Sequence, residues 1–484
     1  MRDHIICYIN GKRYQLNQDH AFMTMAEYLR YIRGLTGTKI VCAEGDCGAC
    51  SVLVSRIHND QLSPYQSINA CIAKMYLYEG CHILTVEGLG KAMDLHPVQE
   101  VFVDEQGAQC GYCTPGFICA MAGLAEDLKI KNQKPCAQKV KNYLTGNLCR
   151  CTGYEPIIQA GLKLDLENTP SLKDLYRDED ILADYKKEKP ISIKITGPDQ
   201  EIFLPKTIDE ALAYKTHEVK MISGATDLGV VTNKGKLKLN KTLSLNNIEN
   251  LYQVEKSDHF YTIGAKVNLT ELEKKLSSDF PEFARLLHIF ASPQIKNAAT
   301  LVGNLVNASP IADTIPFLMV SGAKVRLQSQ KGLREVEIKS FFKGGYKELD
   351  LRDDEIVTAV IIPRTQDEYK LYKVSVRKDL DISVVTFAAG YKLQNNQFES
   401  LRLALGGVGP IVITPKKLEQ NALGKNLGPK LFQYLAQEVE HEITPMTDHR
   451  GSDQFRYQLA RNLMIKFGDE ILKELNPSQF EASI

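Results

Sequence analysis

The spacing of eight cysteines constrains this chain more than any other feature of its sequence. The chain has 12 cysteines, and eight of them fall in two sets of four. The first set is Cys42, Cys47, Cys50 and Cys71, and the second is Cys110, Cys113, Cys149 and Cys151. Four thiolates in tightly spaced groups are the donors that a zinc ion or an iron–sulfur cluster requires. Since thiols stay reduced in the cytoplasm, where we expect this chain, ligands are a better interpretation than disulfides.

The first set has the spacing C-x4-C-x2-C followed by a distant cysteine, which is typical of the 2Fe-2S site of plant-type ferredoxins. Its stretch is CAEGDCGAC, in which Gly45 and Gly48 allow the loop to fold over a cluster. Backbone N–H groups of such a loop turn towards the cluster sulfurs. The spacing therefore predicts a 2Fe-2S cluster at the first set.

The second set combines a C-x2-C pair in AQCGYCTPG with a C-x-C pair in GNLCRCTG. In an extended segment both side chains of C-x-C point to the same side, so both sulfurs can reach one centre. Thr114 is a predicted N-cap, and the N-terminus of its helix favours the negative charge of thiolates. The pairs predict one four-thiolate site, although a zinc ion remains an alternative on spacing alone. The other four cysteines lack ligand spacing and are interpreted as core or surface residues: Cys7, Cys81, Cys119 and Cys136.

Length and charge exclude several classes of protein. A chain of 484 residues is too long for one core, so several domains are expected. Its 59 basic and 59 acidic residues balance, which disfavours nucleic acid as a partner. No apolar run is long enough for a membrane span, and the first residues lack the pattern of a signal peptide. We therefore expect a cytoplasmic protein without a membrane anchor.

Changes of pattern along the chain predict four domains and a linker. Residues 1–90 mix short strands with a helix capped by Thr24 and Glu27, and residues 91–165 are helical, with Pro97 at one predicted helix start. Residues 166–190 are charged and are interpreted as a linker. Residues 191–365 alternate strands with helices, and residues 369–476 form a sheet followed by helices.

Two further loops are candidates for binding a phosphate. KMISGATDLGVV places small residues directly after a short apolar strand, and ASPQIKNAATLVGNLVNASPIADTIP contains a second loop of similar chemistry. Such turns expose backbone N–H groups to an anion. Taken alone, the sequence of each loop is equally consistent with an ordinary turn that binds no phosphate.

The three cysteine stretches together closely resemble the iron–sulfur module of the molybdenum hydroxylases, the family of xanthine dehydrogenases and aldehyde oxidases. The resemblance covers residues 1 to about 165 and extends to the two later loops. It implies an α+β multidomain chain with four parts. These are a β-grasp 2Fe-2S ferredoxin domain, a four-helix 2Fe-2S domain, an α/β FAD-binding domain and a C-terminal α+β flavoprotein subdomain.

The same resemblance implies which residues bind FAD. One loop is formed by Met221, Ile222, Ser223, Gly224, Ala225, Thr226, Asp227 and Leu228, and the other by Thr300, Leu301, Val302, Gly303 and Asn304. Asp313 is expected on the flavin side, and Phe290 against a ring of the cofactor. Ala225 and Val302 stand where the family commonly has glycine, and a Cβ limits close backbone approach to a ligand.

The implied function is electron transfer. Two 2Fe-2S clusters carry single electrons, and FAD converts them into the pair that NAD accepts. We identify no catalytic acid, base or nucleophile in this chain, so the resemblance implies a molybdopterin-binding large subunit as partner. It further implies that the small and large subunits form a dimer of heterodimers. Three alternatives remain open. They are the corresponding subunit of an aldehyde or N-heterocycle hydroxylase, a free-standing flavin reductase, and a zinc-bound scaffold or redox sensor.

Overall fold

The chain begins with a mixed sheet of six short strands. A computed structural model describes residues 1–91 and 93–475. The strands of this sheet are β1 (Ile5–Ile9), β2 (Lys12–Leu16), β3 (Ser51–His58), β4 (Gln61–Leu62), β5 (Gln66–Asn69) and β6 (Cys81–Leu84). Their order is β2-β1-β6-β3-β4, with β5 also paired to β3 and with β1 parallel to β6. Helix α1 (Met25–Glu27) continues as a wider turn over Tyr28–Ile32, and the predicted capping box of Thr24 and Glu27 is present.

A group of helices follows the sheet. These are α2 (Pro97–Asp104), α3 (Thr114–Ile130), α4 (Ala137–Leu144) and α5 (Glu155–Leu162). Pro97 lies at the first position of α2, as predicted. The predicted N-cap of α3 was wrong by one residue, because the cap is Cys113 and Thr114 is already helical. Phe117 of α3 and Leu53 of β3 share one buried core, which joins the helices to the sheet.

The charged segment predicted to be a linker is folded. It contains α6 (Leu172–Leu175) and α7 (Asp178–Tyr185). Tyr8 of β1 donates a hydrogen bond to Asp184 at 2.7 Å, and Tyr185 donates to Glu79 at 2.6 Å. The charges of this segment therefore pair with the first sheet instead of facing only water.

A smaller sheet follows, built from β7 (Ile193–Thr196), β8 (Glu201–Leu204), β9 (Lys220–Ile222) and β10 (Lys241–Ser244), with α8 (Ile208–Tyr214) and α9 (Thr226–Asn233) in the connections. Its order is β7-β8-β10-β9. By its internal contacts the chain divides into two compact units. The first is Met1–Asn250 with Ser292–Ala299, and the second is Leu251–Ala291 with the residues after Ala299.

The second unit contains two sheets. Its strands are β11 (Val254–Lys256), β12 (Phe260–Gly264), β13 (Lys324–Ser329), β14 (Gly332–Glu337), β15 (Ile356–Pro363), β16 (Glu368–Val374), β17 (Val385–Gln394) and β18 (Gln397–Gly406). The first five form a sheet of order β11-β12-β15-β13-β14, and the last three form an antiparallel sheet. Strands β17 and β18 lie within residues 369–476, where a sheet followed by helices was predicted.

The remaining helices are α10 (Leu269–Leu276), α11 (Pro281–His288), α12 (Pro293–Lys296, in the first unit), α13 (Leu301–Asn307), α14 (Thr314–Val320), α15 (Ile338–Phe341), α16 (Lys416–Ala422), α17 (Pro429–Glu438) and α18 (Asp453–Leu475). Phe467 of α18 contacts Phe387 of β17 and Phe432 of α17 in one buried core. Across residues 1–91 and 93–475, no helix combines the length and apolar content that a membrane crossing needs. The four domain limits stay a prediction, and the last of them, residue 476, lies outside the described residues.

Candidate functional site

The four cysteines of the first set come together on the loop before β3 and at the end of β5. The Cys42 thiol contacts Cys47 and Cys71, and Cys71 also contacts Cys50. Gly45 and Gly48 have φ of +74° and +69°, the left-handed conformation that the predicted loop requires. The Glu44 N–H donates to Cys42 Sγ at 3.4 Å. The loop thus brings the four thiols together and directs a backbone N–H group at one of their sulfurs.

The protonation of this set is shared among its members. Hydrogen bonds from the Cys47 and Cys71 thiols hold the pKa of Cys42 well below its usual range. Hydrogen bonding to Cys42 and Cys50, together with burial, raises the pKa of Cys71. One thiolate is therefore stabilised by its neighbours, which is the chemistry expected where several thiolates bind metal.

The second set forms two pairs of thiols. Cys110 and Cys151 lie with their sulfurs 3.4 Å apart, and Cys113 contacts Cys149. Burial and the hydrogen bond to Cys149 raise the pKa of the Cys113 thiol to about 12. Burial alone would raise the pKa of Cys149, but hydrogen bonds from the hydroxyl and N–H of Thr152 lower it. The two cysteines of the C-x-C pair thus contact different partners.

The second set is arranged as two pairs, whereas Cys42 and Cys71 of the first set each contact two other thiols. In the part of the chain that the structure describes, no three His, Cys, Asp or Glu side chains surround a point suited to a single metal ion. A 2Fe-2S cluster has two irons, and each takes a pair of thiolates. The pairs of the second set, Cys110 with Cys151 and Cys113 with Cys149, fit a binuclear cluster.

The remaining cysteines occupy the predicted surroundings. Cys7, Cys81 and Cys119 are buried, and Cys136 is exposed. Burial raises the pKa of Cys7 well above its usual range, with nearby Cys81 adding to the effect. These thiols behave as ordinary packing or surface groups.

The two cysteine sets adjoin within the first unit. The N–H of Leu148, next to Cys149, donates to the carbonyl of Cys47 at 3.0 Å. A Cβ on Gly48 would lie 2.3 Å from the Gly146 carbonyl oxygen, so this approach requires glycine. The loop of the first set therefore packs directly on the segment that carries the C-x-C pair.

The first predicted flavin loop also lies in the first unit. Met221 and Ile222 end β9, Ser223 and Gly224 form the turn, and Ala225, with φ of 56°, caps α9, which begins with Thr226, Asp227 and Leu228. A Cβ on Gly224 would lie 2.0 Å from the Ala298 carbonyl oxygen. The alanine at position 225, where the family commonly has glycine, therefore strains the backbone, since a left-handed conformation is costly for alanine.

Helix α9 connects this loop to the first cysteine set. The Asn233 side chain donates to the carbonyl of Cys71 at 2.8 Å and to that of Ala43 at 3.0 Å. Lys234 forms an ion pair with Glu44 at 2.9 Å. The helix that begins at the first predicted flavin loop therefore ends on the backbone of the first cysteine set.

The second predicted flavin loop begins α13 in the second unit. Thr300 is its N-cap, and its hydroxyl accepts from the Gly303 N–H at 3.0 Å. Leu301 and Val302 are buried in the first turn, and Asn304 accepts from the Thr314 hydroxyl at 2.6 Å. Because Val302 is helical, its Cβ imposes no strain and its side chain contributes to packing.

Asp313 and Phe290 lie near a lysine that the sequence analysis did not identify. Asp313 forms a buried ion pair with Lys373 and accepts from the Ser383 hydroxyl, both at 2.5 Å. The Lys373 Nζ lies 5.9 Å from the centre of the Phe290 ring. Burial raises the pKa of Asp313, while Lys373 and Ser383 oppose this rise. Lys373 lies in β16, whose sequence EYKLYKV contains a second lysine, so the local sequence does not specify its partner.

Known protein families match most of the chain. Residues 85–162 match the [2Fe-2S] binding domain, and residues 197–365 match the FAD binding domain in molybdopterin dehydrogenase. Residues 370–471 match the CO dehydrogenase flavoprotein C-terminal domain. The first match includes the whole second cysteine set, for which spacing alone had left zinc as an alternative.

Curated relatives extend the similarity to the first residues. Xanthine dehydrogenase 1 of Arabidopsis thaliana is 30% identical over 96% of this chain and 39% of its own length. Xanthine dehydrogenase/oxidase of Rattus norvegicus is 29% identical over 99% of this chain and 40% of its own length. The chain therefore spans well under half of these relatives.

Solved structures share the fold. Quinoline 2-oxidoreductase from Pseudomonas putida 86 has a TM-score of 0.51 at 23% identity, over 54% of this chain and 93% of that chain. Carbon monoxide dehydrogenase from Hydrogenophaga pseudoflava has a TM-score of 0.53 at 21% identity, over 56% of this chain and 96% of that chain.

The matched domains define an iron–sulfur flavoprotein with 2Fe-2S and FAD-binding parts. The matched domains and the curated relatives make the chain similar to the iron–sulfur and FAD electron-transfer part of the molybdenum hydroxylases. The predicted family and the predicted multidomain α+β fold are thereby confirmed.

Proposed function

We propose that this chain is the electron-transfer subunit of a xanthine dehydrogenase. Electrons from a molybdopterin-binding large subunit pass to two 2Fe-2S clusters, then to FAD and NAD, while hypoxanthine or xanthine is hydroxylated on that partner. The order of parts within the first unit carries the proposal. Leu148 links the second cysteine set to Cys47, and Asn233 links Cys71 to the helix of the first flavin loop. The first set thus lies between the second set and a flavin loop.

The residues that hold the cofactors are part of the proposal. The ligands of the two clusters are the eight cysteines of the two sets. FAD, when bound, exchanges single electrons with iron–sulfur clusters and an electron pair with nicotinamide. Residues 221–228 and 300–304 hold its diphosphate and ribityl chain through backbone N–H groups. Asp313 and Phe290 orient its ring end.

The assignment to purines is supported by the names of the relatives. Xanthine dehydrogenases match this chain along 96% and 99% of its length. We assign the purine pocket to the partner subunit, and we propose a dimer of heterodimers in the cytoplasm with NAD as electron acceptor. Similarity to quinoline and carbon monoxide enzymes concerns the fold and does not favour their substrates.

Cofactor content provides the first test. We expect about four irons and four acid-labile sulfides per chain, from two clusters of the 2Fe-2S type. Dithionite should give two distinguishable EPR signals at low temperature. Cys47→Ser should remove one signal and Cys149→Ser the other. Stoichiometric zinc, or loss of both signals in either folded variant, would contradict the two-cluster assignment.

Flavin content tests the first loop. Gly224→Leu should release FAD and retain iron, because its side chain collides with the Ala298 backbone. Gly428→Leu is the matched control, since a Cβ on Gly428 has no atom within 4 Å among the described residues. Full flavin in the Gly224 variant would make the loop an ordinary turn.

Activity tests the division of labour. The isolated chain should oxidise NADH with an artificial acceptor but should not reduce NAD with xanthine. Addition of the molybdopterin-bearing subunit should restore xanthine-dependent NADH formation. Cys113→Ser should block that reaction and spare NADH oxidation. Xanthine oxidation by the chain alone would contradict the subunit assignment, and a complex active only on aldehydes would move the substrate to another branch of the family.

A further inference from the structure

Arg456 is a buried arginine to which the proposed function gives no role. It lies near the start of α18, and its side chain is 3% exposed. Its Nη1 donates to the carbonyl oxygens of Val384 and Gly407, both at 2.7 Å, and its Nη2 donates to Asp448 at 2.8 Å. A guanidinium presents its donors in a fixed fork, so one side chain holds two separate carbonyls in a set geometry.

The two bound carbonyls belong to the backbone that holds the segment before α14. The Gly407 N–H donates to the carbonyl of Pro310 at 2.8 Å. The residue next to the other bound carbonyl is Ser383, whose hydroxyl donates to Asp313 at 2.5 Å. Residues 310–313 are therefore held at both ends, and each of the two bonds starts beside a carbonyl that the arginine binds.

The close approach of these two backbone segments requires a glycine. Gly407 has φ of +79°, and a Cβ there would lie 2.3 Å from the Val384 carbonyl oxygen and 3.2 Å from Arg456 Nη1. The Val384 N–H donates to the carbonyl of Val374, the neighbour of Lys373, at 2.8 Å. The backbone bound by the arginine thus reaches the lysine of the buried ion pair as well as its carboxylate.

The bonds of Arg456 to the backbone are better protected from water than its ion pair. The Asp448 side chain is 39% exposed, whereas Val384 and Gly407 are buried. Water weakens an exposed ion pair but does not compete for buried carbonyl bonds. The Nε of Arg456 has no hydrogen-bond partner among the described residues. Burial of a partly unsatisfied guanidinium costs stability, which points to a role for its carbonyl bonds beyond folding.

We propose that Arg456 is a positioning residue for Asp313. It acts through the two carbonyls that it binds, and so fixes the Ser383 hydroxyl and the Pro310 backbone on either side of the carboxylate. This rests on the proposed function, which assigns Asp313 to the ring end of FAD. A carboxylate beside the ammonium of Lys373 offers an acceptor and a donor, which suits the polar edge of a flavin. No electron, proton or bond to the cofactor is assigned to Arg456.

The test is FAD binding by the full chain after its flavin has been removed. Arg456→Met retains most of the side-chain volume and removes every donor, and we expect FAD to bind about tenfold more weakly. The visible circular dichroism of the bound flavin should also change, because the carboxylate beside it moves. Asp448→Asn is the matched control, since it removes the ion pair and leaves both carbonyl bonds. It should retain the affinity and the spectrum.

A double-mutant cycle distinguishes positioning from general support of the fold. Ser383→Ala removes the hydroxyl that connects the arginine-bound backbone to Asp313. If Arg456 acts partly through this hydroxyl, the losses of FAD affinity in Arg456→Met and Ser383→Ala should be less than additive in the double variant. Fully additive losses would overturn the proposal. Unchanged affinity in folded Arg456→Met would overturn it alone, whereas a wild-type chain that takes up no FAD would overturn the proposed function as well.

A second variant keeps the test valid if Arg456→Met does not fold. Gly407→Ala retains the arginine, but its Cβ would displace the Val384 carbonyl, so FAD binding should again weaken and the spectrum should change in the same direction. Gly424→Ala is the matched control. Gly424 also has a left-handed φ, +67°, but a Cβ there has no atom within 4 Å among the described residues. Equal FAD affinities in the two alanine variants would overturn the proposal.

Discussion

Lys373 Nζ lies 2.5 Å from Asp313 Oδ2, and both side chains are at most 5% exposed. The two residues are far apart in sequence, on β16 and at the start of α14. A buried charge that loses its partner is costly, whereas removal of both charges is often tolerated. This pair therefore supports specific predictions about stability.

Asp313→Asn should lower the free energy of unfolding by about 3 kcal/mol, because it leaves the Lys373 ammonium buried without a counter-charge. The double variant Asp313→Asn/Lys373→Met should recover a large part of this loss. Urea unfolding of the wild type, both single variants and the double variant measures the coupling. Additive losses would show that the pair contributes no coupling energy.

Lys373→Met should make stability depend on pH in a defined direction. Burial already raises the pKa of Asp313, and removal of the lysine raises it further. A carboxyl group whose folded-state pKa exceeds its unfolded value contributes stability that is lost as the pH rises. The urea midpoint of Lys373→Met should therefore lie further below that of the wild type at pH 8 than at pH 6. A difference that does not vary with pH would contradict this prediction.

Ala225→Gly should raise stability by about 0.5–1 kcal/mol, because Ala225 has a left-handed conformation that glycine adopts without strain. The control is Ala183→Gly, an exposed site inside α7, where loss of helix propensity should lower stability by about 1 kcal/mol. Thermal unfolding of both variants measures the two effects. Changes of the same sign would refute strain at Ala225.

Thr152→Val should make the reduction potential of one cluster more negative. The Thr152 hydroxyl donates to Cys149 Sγ at 3.2 Å, and hydrogen bonds to ligand sulfurs favour the reduced, more negative cluster. Thr152→Ser keeps the hydroxyl and should retain the potential. EPR-monitored redox titration should show a shift in the second-set signal only. A shift of both signals would indicate a wider structural change.

His82→Gln should reduce the sensitivity of the fold to acid. His82 Nε2 accepts from the Gly11 N–H at 3.0 Å, and its Nδ1 lies 2.6 Å from the Tyr65 hydroxyl. Burial lowers the pKa of His82 from 6.5 to about 4. Because the folded-state pKa is depressed, the stability is complete above pH 6.5 and is lost as the pH falls towards 4.

When the pH falls from 7 to 5, protonation of His82 should lower the free energy of unfolding of the wild type by about 2 kcal/mol. His82→Gln should not show this loss. Urea unfolding at the two pH values measures the difference. His259→Gln, at an exposed histidine, should retain the acid sensitivity of the wild type. Equal losses in wild type and His82→Gln would assign the acid sensitivity to other groups.

Local sequence patterns predicted those features that depend on neighbouring residues. The capping box of Thr24 and Glu27 and the left-handed Gly45 and Gly48 follow from hydrogen bonds and φ preferences within a few residues. The helix after Cys113 was predicted to begin one residue late, because a threonine there is a good cap in general. Such boundaries depend on packing beyond the local sequence.

The sequence by itself determined the family, the two cysteine sets and the multidomain fold, because cluster ligands require soft donors at fixed spacing and that requirement is local. Tertiary structure alone decided that Cys110 pairs with Cys151, that Lys373 meets Asp313, and that residues 171–190 fold onto the first sheet. These contacts join residues far apart in the chain. They form only when buried area and paired charge offset the conformational entropy of closing long loops, and no short stretch of sequence records that balance.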